Sequence, residues 1–297
     1  MRVFVTGATG WVGNVVVDEL LGAGHQVLGL SRSEEKAAVL AAKGADVLRG
    51  TLDDLDHLAE AADNADAVIH LAFNHDQLHD FSKFAENSEQ ERRAIEAMGE
   101  ALVGTDKPIL CTSGMARLAP GRVATEEDMP PLSDPNFPRK NEAAAAALAE
   151  RGIRVGAVRL ATTVHGIGDP AYMAILARLA REKGVSAYIG DGANRWTAVH
   201  VSDAGRLYRL ALEAGAPARS YHASAEEGIP FRAIAEAIGR ALDLPVEPRP
   251  REHFGWLAGF VGADAPVSSA RTRALTGWKP TGPTLLADLA QPAYFPS

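Results

Sequence analysis

Short, unbroken apolar runs alternate along the chain with longer stretches in which apolar residues recur every three or four positions. Val3-Phe4-Val5 comes first, followed at helical spacing by Val12, Val16, Leu20 and Leu21. The alternation then repeats. Gln26–Leu30, Ala45–Leu48, Ala67–Leu71, Pro108–Thr112 and Arg154–Leu160 read as strands, and Glu34–Lys43, Leu55–Ala62, roughly Asp80–Leu102 and Lys140–Arg151 as helices. Strands alternating with helices predict an α/β fold, a doubly wound parallel sheet with right-handed crossovers.

From Gly166 the rhythm changes. Asp169-Pro170 begins a helix running to Lys183, and Gly190-Asp-Gly-Ala-Asn194 reads as a turn before Trp196–His200. Ser202-Asp203 is expected to cap a helix reaching about Leu212, Ser220–Ala223 to form a short strand, and the proline-punctuated remainder to be helical. The division this implies is one domain over 1–165, with 195–223 returning to it. A smaller, mostly helical substrate lobe is expected from 166–194 and 224–297.

Composition narrows the possibilities. With 297 residues, 46% of them hydrophobic, the chain can bury a sizeable core. The 38 acidic and 30 basic residues give a net charge of −8 with no basic run, which argues against nucleic acid or an anionic membrane as a partner. The single cysteine, Cys111, lies in an apolar run and forms no internal disulfide. With no charged leader and no apolar segment long enough to span a bilayer, the expected location is the cytoplasm. The histidines are read as offering no catalytic zinc, and Gly-x-Ser-x-Gly, the mark of a nucleophile elbow, is absent.

The candidate chemistry starts where the first strand ends. Thr6-Gly7-Ala8-Thr9-Gly10-Trp11-Val12-Gly13 puts three glycines between a strand and a helix. Gly7 suits a tight turn, Gly10 lets a pyrophosphate approach the backbone, and Gly13 lets the helix pack close, with phosphates on the helix N-terminus. The spacing Thr-Gly-x-x-Gly-x-x-Gly resembles the extended and atypical branches of the short-chain dehydrogenase/reductase superfamily, the NAD(P)-dependent epimerase/dehydratase-like chains. That resemblance implies a Rossmann-type sheet and cofactor contacts from Gly7, Thr9, Gly10, Trp11, Val12 and Gly13.

The second strand ends Leu30-Ser31-Arg32-Ser33, without the carboxylate that favours NAD. Arg32 offers a cationic fork to a 2′-phosphate, with Ser31 or Ser33 as hydroxyl donors, so NADP(H) is the expected cofactor. Ser33 also suits the N-cap of the helix opening at Glu34-Glu35. Gly50-Thr51-Leu52-Asp53-Asp54 resembles the superfamily's stretch along the adenine but departs from it at Thr51. The resemblance further implies that Leu71, Ala72 and Phe73 line the central ribose, and that Thr112, Leu160, Thr162, Thr163 and Val164 lie toward the nicotinamide. Arg195 to Asp203 resembles a family signature in which His200 and Asp203 hold the two lobes together.

The catalytic set is incomplete. Cys111-Thr112-Ser113-Gly114 resembles the family's Ser-bearing segment, so Ser113 is expected to hold the carbonyl oxygen. The resemblance also implies Tyr-x-x-x-Lys at the next helix. Here Lys140 falls near the lysine position, but Asn136 stands four residues before it and no tyrosine occurs between Met1 and Gly166. Lys140 or Arg139 remains for the nicotinamide ribose, unless both are merely solvated residues of the helix's first turn. His75 (with Asp76 to set its acidity) and Tyr172 are candidate proton sources, with Tyr188 as another hydroxyl in the second lobe.

The expected function is an NADP(H)-dependent reductase passing a hydride to the C=O, or a C=N, of a small molecule. The alternative is a catalytically silent NADP(H) sensor that recognises a protein partner. A sugar-nucleotide epimerase or dehydratase is disfavoured, because those relatives depend on the tyrosine. The long helices Asp80–Leu102 and Lys140–Arg151 leave a homodimer open, with Glu89, Glu91, Arg92 and Arg93 read as a wet stretch.

Overall fold

Val3 and Val5 point to one side of their strand and Phe4 to the other, and all three are fully buried, so β1 (Arg2–Thr6) needs an apolar layer on each face. A computed structural model describes residues 1–75, 81–115, 118–132 and 139–295. After β1 come α1 (Trp11–Gly22), β2 (Gln26–Ser31), α2 (Glu34–Ala42), β3 (Asp46–Arg49), α3 (Leu55–Asp63) and β4 (Ala67–His70). They are followed by α4 (Phe81–Glu100), β5 (Ile109–Gly114), α5 (Asn141–Glu150), β6 (Val155–Leu160), β7 (Thr163–His165), α6 (Tyr172–Lys183), β8 (Ser186–Tyr188) and β9 (Arg195–His200). The chain continues through α7 (Val201–Glu213), β10 (Ser220–Ala223), β11 (Glu226–Pro230), α8 (Phe231–Leu242) and β12 (Val246–Pro248). A 3-10 turn (Arg251–Leu257), α9 (Ala258–Val261), α10 (Ala270–Thr276) and α11 (Leu285–Leu289) complete the described elements.

Seven strands form one parallel sheet in the order β10-β6-β5-β4-β1-β2-β3. This is a Rossmann-like α/β fold. The order reverses between β4 and β1, which opens a crevice at the C-terminal strand ends. On one face Val3 and Val5 pack with Val16, Val17 and Leu20 of α1 and Leu207 and Tyr208 of α7. On the other, Phe4, Val68 and Ile109 pack with Leu58, Ile95, Met98 and Leu148 from α3, α4 and α5. A third cluster, around Trp196, Phe231, Ile234, Ile238, Leu257 and Leu285, joins α6, α8, α9 and α11.

Several details differ from expectation. The N-cap of α7 is His200, whose Nδ1 accepts from the Ser202 backbone at 3.3 Å, while Asp203 accepts from the backbones of Thr281 and Gly282. The C-terminal stretch expected to be helical also supplies β11 and β12, because β9 and β8 each had an edge to pair. β9 lies in a three-stranded sheet with β7 and β11, whereas β10 joins the large sheet beside β6. A buried ion pair ties α5 to β6: Arg159 donates to Glu142 through Nε at 2.9 Å and Nη2 at 2.7 Å. Among the described residues, no helix is long and apolar enough to cross a membrane.

Candidate active site

The glycine turn is built so that side chains cannot replace it. Gly7 takes φ +68°, and a Cβ there would lie 2.7 Å from the Ala72 nitrogen. A Cβ at Gly13 would meet the Gly7 carbonyl oxygen at 2.0 Å, so α1 packs directly on the turn. Gly10 is exposed, donates to the Gly7 carbonyl at 2.9 Å and caps α1 without a side chain. The first amides of α1 therefore face the crevice with no internal acceptor from the cap, as an anion site requires. This cradle fits a dinucleotide pyrophosphate. Trp11 fixes the loop from above, its indole nitrogen donating to the Val164 carbonyl at 2.8 Å.

At the other side of β1, Ser33 caps α2 through its hydroxyl, which accepts from the Lys36 backbone at 3.3 Å. Ser31 is buried and its hydroxyl donates to the Ser33 carbonyl. Arg32 is exposed, and its carbonyl accepts from Arg49 Nη2 at 3.2 Å, so a second arginine converges on the tip of β2. Thr51, the departure from the family pattern, donates from both backbone and hydroxyl to Asp54 and closes the turn before α3. The Thr51 bonds hold the Asp54 carboxyl below the usual carboxylate range. Leu52 is buried, and Asp53 accepts from Gln90 at 2.6 Å.

The ends of β1, β4 and β5 are stitched together. Thr6 Oγ1 lies 2.8 Å from His70 Nδ1 and accepts from the Ala72 backbone at 3.3 Å. Burial, with a smaller push from Arg139, lowers the His70 pKa to about 3, so this imidazole is neutral. Thr112 Oγ1 donates to the His70 carbonyl at 2.8 Å. Its one proton is thereby used, and Tyr208, 2.7 Å away, must be the donor to it. The Thr112 carbonyl accepts from Asn141 Nδ2 and Arg139 Nη2. Ser113, next along, is paired with Arg159 through the strand backbone, but its hydroxyl has no hydrogen-bond partner among the described residues.

The two basic residues before α5 point in different directions. Lys140 is exposed, with Nζ 2.9 Å from Glu89. Arg139 turns inward, donating to Glu91 through Nε at 3.1 Å and Nη2 at 2.7 Å, and lying 4.7 Å above the Phe73 ring. Glu91 is therefore not part of a wet stretch: its side chain is 1% exposed, because Arg139 is its counterion across 48 residues. Burial raises its pKa against the lowering pull of that guanidinium. The sequence carried the signal, since Glu91 stands three, four and seven residues before the buried Ala94, Ile95 and Met98.

His75 is exposed, its ring edge-on to Phe73 with the ring centroids 5.1 Å apart, while Asp76 and Asn136 lie outside the described residues. Tyr172 instead packs on Trp196 and Phe260, and burial pushes its hydroxyl up to about 12. Tyr188 is buried against Arg232. The Thr162 backbone donates to Thr197 at 2.9 Å, and Thr163 is buried within β7. His165 bonds Asp288 at 2.7 Å, well inside the protein, and burial lowers its pKa against that carboxylate. His75 and His79 stand four residues apart, a spacing against the reading that the histidines offer no metal pair; His79 lies outside the described residues. Among the described residues, no group of three or more His, Cys, Asp or Glu side chains is placed to hold a metal ion.

The sequence pattern of the NAD dependent epimerase/dehydratase family matches residues 3–223. An uncharacterized protein of Schizosaccharomyces pombe is 48% identical over 301 residues, spanning 99% of this chain and all of that one. The 2′-dehydrokanamycin reductase of Streptomyces kanamyceticus is 30% identical over 264 residues, 84% of this chain and 68% of that one. Among solved structures, the dTDP-glucose 4,6-dehydratase DesIV of Streptomyces venezuelae, with NAD and TYD bound, superposes with a TM-score of 0.78 at 19% identity, over 99% of this chain and 96% of that one. With the glycine cradle, the sheet order and most of the sequence agreeing, the chain belongs to the NAD-dependent epimerase/dehydratase family, an NAD(P)-binding group of the short-chain dehydrogenase/reductase superfamily.

Proposed function

We propose that this chain is an NADP(H)-dependent reductase acting on the C=O of a small organic molecule, with a C=N acceptor as the related case. Ser113 carries the reading. Its hydroxyl has no partner among the described residues, while the residue before it is bonded through both side chain and carbonyl. A donor left uncommitted on a strand end held rigid is what stabilisation of a developing oxyanion requires. When bound, the dinucleotide supplies a hydride. Ser113 donates to the acceptor oxygen, and His75 delivers the proton from the exposed segment after β4. Tyr172 suits that role less, because the buried phenol holds its proton. Preference for NADP(H) is supported by a β2 tip with no carboxylate and with Arg32 exposed beside Arg49. The 2′-dehydrokanamycin reductase among the relatives supports the reductase reading.

The test is NADPH consumption against ketones, aldehydes and cyclic imines, with Arg32→Asp titrated beside the wild type. Turnover is expected with at least one class, and Arg32→Asp should lose tenfold or more affinity for NADPH, about 1.4 kcal/mol, with little change for NADH. Tight NADPH binding without turnover would favour a cofactor sensor, and equal losses for both cofactors would reduce Arg32 to a surface residue.

A further inference from the structure

Neither the glycine cradle nor Ser113 explains the inward placement of Arg139. Burying an ion pair costs more desolvation than a surface pair recovers, so a fold that buries Glu91 against Arg139 gains fixed geometry rather than net stability. That geometry is specific. Arg139 spends Nε and Nη2 on Glu91 and Nη2 again on the Thr112 carbonyl, and one face of its guanidinium lies over Phe73. Nη1 has no hydrogen-bond partner among the described residues, and the side chain stays 23% exposed.

The position is equally defined. A Cβ on Gly7 would touch Ala72, Ala72 precedes Phe73, Phe73 stacks under Arg139, and Arg139 binds the carbonyl of the residue before Ser113. The guanidinium therefore lies between the turn of the glycine loop and Ser113, at the C-terminal strand ends where the crevice opens. Its charge is already matched by Glu91, so the free N–H groups suit a neutral oxygen, such as a diol, better than a second carboxylate.

We propose that Arg139, not Lys140, holds the hydroxyls of the nicotinamide-side ribose, with Glu91 as the positioning residue that aims it. This rests on the cofactor reading above. Lys140 is drawn the other way, to Glu89 on the outer side of α4.

Two ligands separate the roles. NADPH carries the nicotinamide ribose, whereas adenosine 2′,5′-bisphosphate carries only the adenosine end. Calorimetric titration of wild type, R139Q, R139K and K140Q with each should show R139Q losing roughly ten- to a hundredfold affinity for NADPH, the range of a hydrogen bond to a charged group. Its affinity for adenosine 2′,5′-bisphosphate should stay at the wild-type value, R139K should recover part of the loss, and K140Q should match wild type with both ligands. Weakened NADPH binding in K140Q would overturn the assignment, as would equal losses for the two ligands in R139Q. Should R139Q fail to fold, R139K and K140Q still decide it by the same comparison. If wild type binds neither ligand, the cofactor reading itself fails, a result distinct from any pattern among the variants.

Discussion

Gly10, Gly13 and Gly22, at the start and the far end of α1, make different steric demands, and alanine at each gives a different outcome. Gly13→Ala puts a Cβ 2.0 Å from the Gly7 carbonyl oxygen and 2.8 Å from its carbon, where ordinary contact begins at 3.4 Å. The obstacle is backbone, which cannot rotate aside, so α1 must back away by more than 1 Å. Overpacking of this kind costs about 1–3 kcal/mol, and the displaced amides lose their aim at the phosphates. Gly10→Ala meets only a 3.2 Å contact, at an exposed position with φ −78° that any residue adopts. Stability should change by no more than about 0.5 kcal/mol, yet the methyl group stands where the pyrophosphate would approach, and NADPH affinity should fall at least tenfold. Gly22→Ala, at the far end of the same helix with nothing within 4 Å, should gain about 0.5–1 kcal/mol and bind cofactor normally. Urea denaturation and calorimetric titration of the three variants give six numbers. Unimpaired NADPH binding by Gly10→Ala would refute the placement of the phosphates, and a Gly13→Ala protein as stable as wild type would refute the steric argument.

Two further outcomes follow from buried charge. Glu142→Gln leaves Arg159 buried without its counterion and should cost about 3–5 kcal/mol by urea denaturation, while Glu142→Leu with Arg159→Met should cost less than the single change; a double variant no more stable than the single one would show that Arg159 does not need the charge. His70 has its pKa lowered to about 3, so the unfolded chain, titrating near 6.5, takes up the proton first. Stability is full above pH 6.5 and drains as pH falls toward 3, by at most roughly 5 kcal/mol from this group, and His70→Gln should flatten that part of the curve; identical pH profiles for the two proteins would refute it.

What the sequence made legible was local. The run from Val3 to Leu21 names its strand, turn and helix, because period and glycine placement are properties of neighbouring residues. The Ser33 cap is read the same way, from the charges that follow it. Arg139 and Lys140 are another matter. They are adjacent and alike, and only the helix opposite, with Glu91 facing inward and Glu89 outward, decides which of them enters the crevice. Thr51 looked like a lapse from the family pattern until its hydroxyl was found closing the turn on Asp54. β12 is set by its register with β8, some sixty residues away, so its prolines were no guide.

The missing phenol sharpens what the site can be. Each of the five tyrosines is committed by the fold: Tyr208 donates to Thr112, Tyr221 accepts from the Ala218 backbone, Tyr294 donates to Asp169, Tyr188 lies under Arg232, and Tyr172 is wedged between Trp196 and Phe260. Burial raises the pKa of Tyr172, Tyr208, Tyr221 and Tyr294 alike, so none of these four offers a readily released proton. For the proposed reduction the proton is then left to an exposed side chain such as His75, or to water itself. A protonated imine would need that help least, since its acceptor carbon is already activated, and the same argument therefore makes cyclic imines the first substrates to try.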